Sequence, residues 1–323
     1  MNRRFLCNAA IPAAVLSLAL AACGGQSEGS SSGSGGDTAL SGEIVVDGSS
    51  TVQPLTAAAG ELFKQENPDV NVSVGTAGTG GGFEKFCIGD TDISDASRAI
   101  EAEEITICKK NDVGYTELQV ATDALTVVTS AENDFVTCLT TDELKTMWEP
   151  AAEGEITTWD QVNPDFPAEP IELYGPGTDS GTFDYFTDEI NGEEGASRSD
   201  YNASEDDNAI VQGVSGSPNA VGYFGFSYFE ENAEDLKAIE IDSGDGCVAP
   251  SAETAQDGSY TPLARPLFIY PANASVEEKP EVAAFVDFYA ANIVDIVEAA
   301  QFIPLNEEQT TELEDTASQL TGS

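Results

Sequence analysis

Between Val74 and Ile100 the chain reads VGTAGTGGGFEKFCIGDTDISDASRAI. Gly75, Gly78, Gly80, Gly81 and Gly82 lead into a helical stretch, and a turn rich in Ser and Asp then carries Ser97 and Arg98. Glycines let backbone N–H groups converge on a ligand without Cβ obstruction, and a helix beginning there adds the positive end of its dipole. Arg98, the only arginine between Arg4 and Arg198, would complete an anion cradle. A second junction of this kind is GPGTDSGTFDYF, where Asp179, Ser180, Gly181 and Thr182 occupy the start of a helix bearing Phe183, Tyr185 and Phe186. A third is DGSSTVQPL, where Ser50 or Thr51 offers a hydroxyl and Pro54 suits a first helical turn. Each alone is also what an ordinary surface loop or helix cap looks like. Together they aim hydroxyls, amides and one guanidinium at a common target.

Other chemistries are excluded by what is missing. The sequence has no histidine, which removes Ser-His-Asp and Cys-His catalysis, His-ligated zinc and His proton switches. Ser180 as a nucleophile would need an unusual base. No CxxC spacing or dense ligand motif points to a metal, and no cofactor is implied. With 58 acidic and 12 basic residues the formal charge is −46, which argues against nucleic acid. The same field repels a small anion, so an anion site must work through local, partly buried donors. Dispersed acid of this kind reads as a solvated surface suited to high salt.

The elements that would position these residues follow a β/α pattern. A strand over Ile44–Val46 precedes a helix from about Val52 to Glu66; a strand over Val70–Val74 feeds the glycine cluster; DTDIS enters a third strand ending near Ser94, Asp95, Ser97 and Arg98. In open α/β sheets ligands sit at the carboxyl ends of strands. Asp123–Ser130 and Leu263–Pro271 read as partner strands flanking a middle section, so one lobe is inserted into another with two chain crossings. The inserted section carries a helix over Thr141–Met147, the strand Ile171–Tyr174 and GPGTDSGTFDYF. Trp148 and Trp159 read as packing residues. The stretch VEEKPEVAAFVDFYAANIVDIVEAA is expected to be one long packing helix.

The two ends set the location. Arg3 and Arg4 precede an apolar run too short to span a bilayer, and LAAC ends at Cys23, so residues 1–22 read as a signal peptide with Cys23 lipidated. Residues 23–41 form a Gly/Ser-rich tether. The expectation is an exported monomer, lipid-anchored to the outer face of the cytoplasmic membrane. Loss of Arg3 and Arg4 would take the charge to about −48. Cys87, Cys108, Cys138 and Cys247 remain; three pairings are open, and spacing favours Cys87–Cys108 with Cys138–Cys247.

The ordered set DGSSTVQPL, GTGGGFEKFC, DISDASRAI, ELKTMWEP with ITTWDQV, YGPGTDSGTFDYF and PLARPLFIYP resembles the PstS family, the phosphate-binding proteins of ABC phosphate importers. The resemblance runs from about Gly42 to Pro304 and implies an α/β, two-lobed periplasmic-binding-protein fold of the type II, Venus-flytrap kind with two hinge crossings. Lobe I would comprise residues 42–129 and 258–323, and lobe II residues 130–257. It implies inorganic phosphate as ligand, an ABC permease as partner and no enzymatic activity. Carried over motif by motif, Thr51, the Val52 N–H, Thr79 or Gly80, Ser180, Gly181 and Thr182 are the phosphate contacts, with Ser50 and Ser97 beside them. Much of the family draws its arginine from the segment before Ser-Gly-Thr and its acid from the strand end reading DISDASR here; in this chain Arg98 and Asp179 exchange those places. The acid that accepts a phosphate proton is then Asp179 or Asp95. Other readings are a site for another tetrahedral oxyanion such as sulfate, a phosphatase-like enzyme, or a surface receptor on the same scaffold.

Overall fold

The computed structural model describes residues 39–178 and 180–323. The expected signal peptide, Cys23, the tether as far as residue 38, and Asp179 lie outside the described residues. Strand β1 (Gly42–Gly48) buries Ile44 and Val46 and pairs in parallel with β2 (Val70–Val74) and β3 (Ile93–Ala96). Between them run helix α1 (Gln53–Glu66), with Pro54 in its first turn, and α2 (Gly78–Phe86). Helix α3 (Ala102–Lys110) follows, opened by a capping box of Glu101 and Glu104.

Strand β4 (Leu118–Ser130) is 13 residues long, about 43 Å at the usual strand rise. That length lets one strand serve two lobes. Its first half pairs with β12 (Ala264–Pro271), which also pairs with β3; its second half pairs with β8 (Ala220–Gly225) and β9 (Leu236–Ala238). Strands β6 (Glu172–Pro176) and β7 (Asn202–Ser204) extend the far side, giving the order β2-β1-β3-β12-β4-β8-β6-β7. A small sheet joins β5 (Cys138–Thr140), β10 (Glu240–Asp242) and β11 (Cys247–Val248).

The halves of the large sheet have separate cores. Ile44, Leu55, Phe63, Phe285 and Val286 fill one; Val127, Trp148, Trp159, Phe186 and Tyr223 fill the other. Trp148 and Trp159 are fully buried, which suits packing and rules out open stacking platforms. Trp148 ends helix α4 (Thr141–Trp148) and Trp159 begins helix α5 (Trp159–Val162). Helix α6 (Gly181–Phe186) continues into a π-helical turn over Thr187–Asn191. Among the described residues no helix is long and apolar enough to cross a membrane.

One expectation is corrected. The long helix after Ser275 is three helices, Asn273–Glu278, Pro280–Ala291 and Ile293–Ala299. Pro280 has no N–H to continue the first, so Lys279 turns out at φ −115° and ψ 102°, and Asn292 interrupts the second at φ −114° and ψ 20°.

Both disulfides pair as spacing favours, with sequence separations of 21 for Cys87–Cys108 and 109 for Cys138–Cys247. In the loop-closure account the longer loop contributes more, about 5 against about 3 kcal/mol. Replacing Cys138 and Cys247 together by Ser is therefore expected to lower the denaturation midpoint more than the same change at Cys87 and Cys108. Chemical denaturation of the two double variants measures this; equal losses, or the reverse order, would contradict it.

Candidate ligand-binding site

Three strand-to-helix junctions and one hinge strand meet around a cavity of about 590 Å³. The first junction is the loop Ser49–Thr51. Ser49 N–H donates to the Asp95 carbonyl (2.9 Å), Thr51 N–H to Ser49 Oγ (3.2 Å), and Gln53 N–H to the Ser49 carbonyl (3.1 Å). This folding needs Gly48: it sits at φ +146°, and a Cβ there would fall 2.1 Å from the Asp95 carbonyl oxygen. The loop is thereby fixed, and Ser50 and Thr51 line the cavity.

The second junction is the start of α2. Ala77 occupies the N-cap without a side-chain cap, and Ala77, Gly78, Thr79, Gly80 and Gly81 line the cavity. Uncapped first-turn amides and the helix dipole suit an anion. Gly82 permits the approach, since its Cβ would lie 2.5 Å from the Gly48 Cα. Asp47 accepts from Ala77 N–H (2.9 Å) and pairs with Lys85, tying both ends of α2 to β1. Thr79 Oγ1 and Ser97 Oγ are hydrogen-bonded at 3.0 Å, and Ser97 N–H donates to Thr79 Oγ1 at 3.2 Å.

Arg98 lines the cavity, but its fork is already occupied. Its Nη1 and Nη2 donate to the two carboxylate oxygens of Glu104 (2.9 and 2.8 Å), and Nε lies 3.2 Å from Glu101 Oε1. The expected lone cation of the cradle is thus largely neutralised by its neighbours on α3.

The guanidinium that sequence reading missed is Arg265. It projects from β12, where it is the direct cross-strand partner of Asp123 on β4. Its Nε donates to Asp123 Oδ2 (3.2 Å), its Nη2 donates to Thr51 Oγ1 (3.0 Å), and its plane stacks 3.6 Å from the Tyr185 ring centre. One side chain therefore touches the first loop, both hinge strands and α6. Tyr185 is held in turn by donating its hydroxyl to the Pro262 carbonyl (2.5 Å).

The third junction is α6. Gly181 lines the cavity and packs on the first loop, where an added Cβ would lie 3.0 Å from Thr51 Oγ1. Ser180 serves its own helix, its Oγ accepting from Thr182 N–H at 3.2 Å. Thr182 lines a second, smaller cavity of about 170 Å³ together with Asp123 and Asp207. Val52 is fully buried in the core. Asp95, expected as an acid of the site, is also fully buried: Thr56 Oγ1 of α1 donates to its Oδ1 at 2.9 Å. All four residues of β3 (Ile93–Ala96) are buried, so a side chain on either face of this strand is enclosed.

The acids that do face the cavity are Asp184, Asp188, Glu189 and Glu194. Burial raises the Asp184 carboxyl above the usual range, with Glu194 adding and Arg265 opposing. Burial likewise raises Glu189, with Asp188 adding. The arrangement is a set of hydroxyls, amides and one well-held guanidinium facing carboxylates that favour a nearby proton. It suits a small oxyanion that itself carries a proton.

A family model described as a PBP superfamily domain matches residues 32–292. Protein SphX of Synechocystis is 47% identical over 298 residues, 92% of this chain and 85% of that protein. The phosphate-binding protein PstS of Staphylococcus saprophyticus is 39% identical over 92% of this chain and 89% of its own length. A crystal structure described as a possible phosphate binding protein from Planctomyces limnophilus is 42% identical, with a TM-score of 0.82 over 87% of this chain and 99% of that one.

Burial raises the Asp123 carboxyl, and Arg265 opposes the rise. Arg265→Ala would strand that carboxylate and is expected to cost about 3 kcal/mol at neutral pH. Without Arg265 the folded-state pKa of Asp123 rises further, so the deficit grows with pH above the unfolded value of about 4 and shrinks toward it. Thermal unfolding of both proteins from about pH 4 to pH 8 measures this; a deficit that stays constant with pH would show that Asp123 is not the stranded group.

Proposed function

We propose, from the premise that this chain belongs to the PstS phosphate-binding proteins of the PBP superfamily, that the cavity beside Arg265 is where it captures inorganic phosphate. Members of this family are substrate-binding transport proteins, and the function is extracytoplasmic phosphate capture for an ABC transporter. Lobe I, expected as residues 42–129 and 258–323, gives up the second half of β4 and the approach to β12, since Leu125, Val127, Tyr260 and Leu263 pack in the core of residues 130–257; the two crossings then fall within β4 and in the chain entering β12. Cys23 carries the lipid that keeps the protein, as a monomer, beside its permease.

The observation that carries this reading is the position of Arg265. It contacts the Ser49–Thr51 loop through Thr51 and α6 through Tyr185, so its placement depends on both sides of the cleft at once. An oxyanion lying against Thr51, the first turn of α2 and Arg265 would be held by donors of lobe I, with Gly181 and Tyr185 of α6 facing it from lobe II. Ser50, Thr79, Ser97 and Gly181 complete the surround. Arg98 helps to shape the wall while paired with Glu104.

Near neutral pH phosphate keeps at least one proton and sulfate keeps none. A carboxylate in the wall accepts a hydrogen bond from the first and meets only lone pairs on the second, a mismatch of several kcal/mol when desolvated. Asp184, which lines the cavity, is our candidate for this role, and Asp179, which adjoins Ser180 in sequence, is the other.

Calorimetric titration of the mature chain in salt tests the reading. Phosphate is expected to bind and sulfate to bind much more weakly. Arg265→Lys keeps a charge but loses the fork and the stacked plane, so it should weaken phosphate at least about tenfold, or ~1.4 kcal/mol. Arg98→Lys should cost less than about threefold, because Glu104 already holds that side chain. Asp184→Asn should narrow the phosphate-to-sulfate ratio by about tenfold; if Asp179→Asn narrows it and Asp184→Asn does not, the proton acceptor is Asp179. Absence of phosphate binding, or tighter binding of sulfate, would overturn the assignment.

A further inference from the structure

Asp95 is buried behind the site, and its surroundings do not suit a charge. Its side chain is 0% exposed. Thr56 Oγ1 donates to Oδ1, while Oδ2 has no partner among the described residues. No ion pair reaches it there either. The Tyr289 hydroxyl of helix Pro280–Ala291, a buried polar atom without a hydrogen-bond partner among the described residues, has its pKa raised by burial, is near enough for the Asp95 charge to raise it further, and is able to accept a proton donated by a carboxylic acid. The charged group facing it from β1 is Asp47, of the same sign, which is itself engaged by Lys85 of α2. From α1 it faces Thr56, and from β12 its register partner is Ile269. The start of α1 favours an anion, but a dipole end recovers only part of what burial of a lone carboxylate costs.

The backbone of Asp95 is also part of the binding loop's frame. Its carbonyl accepts Ser49 N–H, its side chain accepts from Thr56, and Thr56 N–H donates to the Val52 carbonyl (3.2 Å). These three bonds clamp the Ser49–Val52 segment between β3 and the first turns of α1. Ser50 and Thr51 are the hydroxyls the clamp presents to the cavity.

We infer that Asp95 is a positioning residue held as a neutral carboxylic acid, and that its ionisation loosens the Ser49–Val52 segment and weakens anion binding. The effect on binding rests on the phosphate reading above; the protonation state does not. Burial, with Asp47 adding and Thr56 opposing, pushes the Asp95 carboxyl up to about 8. The folded chain therefore binds a proton that the unfolded chain releases near pH 4, and stability from this group is lost as pH rises from about 4 toward about 8.

The test compares the parent with Asp95→Asn, which copies the neutral acid in shape, and with Asp95→Ala, which removes the Thr56 bond. Comparison with Asp95→Asn cancels the titration of phosphate itself. At pH 9 about nine parent chains in ten would carry the charge, so the ratio of parent to Asn Kd for phosphate should rise about tenfold between pH 6 and pH 9. The parent's melting temperature relative to Asp95→Asn should fall by several degrees over the same range. Asp95→Ala should bind more weakly than Asp95→Asn at every pH, without that profile. A flat Kd ratio, a flat difference in melting temperature, or Asp95→Ala binding as well as Asp95→Asn would overturn the inference. If the parent binds no phosphate, the functional reading fails while the melting comparison still decides whether Asp95 is neutral.

Discussion

Arg265 and Asp123 face each other on β12 and β4, the strands that run between the lobes. Both side chains are largely withdrawn from water, at 17% and 10% exposure, so neither would be tolerated there without the other. The pair fixes the guanidinium by one edge. Its remaining edge then reaches Thr51, and its plane lies on Tyr185. Every other part of the site is arranged around that fixed cation: Gly48 and Asp95 set the loop that brings Thr51 to it, and the Tyr185 bond to the Pro262 carbonyl holds the stacking ring in place.

Such local organisation is what the overall charge demands. A chain with a formal charge of −46 repels an approaching anion, and four carboxylates among the described residues line the cleft. Salt screens that repulsion beyond about 10 Å at 0.1 M, whereas contacts near 3 Å inside a cavity are barely affected. High salt therefore removes the obstacle to encounter without removing the binding donors. The acids left in the wall favour an anion that brings its own proton.

Much of the fold was legible in the sequence because it rests on local pattern. The runs Ile44–Val46 and Val70–Val74, Pro54 in a first turn and glycines before α2 are short-range signals, and the strands and helices form where they place them. Cysteine spacing foretold both bridges. The site was legible only in part. Ser50, Thr51, Thr79, Gly80, Ser97, Arg98 and Gly181 do reach one cavity. Arg265 stood inside PLARPLFIYP, where it read as one residue of a strand; its contact with Thr51 spans 214 positions, and nothing local announces it. A charged residue in a strand that pairs with an aspartate on another strand was the available hint. The role of Arg98 was overread because Glu101 and Glu104 neutralise it only once α3 folds back beside it. Asp95 was misplaced because the turn after β3 can be seen in sequence while the facing of each side chain cannot, and the helix after Ser275 was drawn too long by underweighting Pro280.

The central claim is that the anion lies against Arg265 and Thr51, and a crystal structure of the mature chain grown with phosphate tests it most directly. The account predicts phosphate oxygens within hydrogen-bond distance of the Arg265 guanidinium, the Thr51 hydroxyl and the first-turn amides of α2, with Arg98 still paired to Glu104. Phosphate bound through Arg98 with that pair broken, or bound outside this cavity, would contradict it.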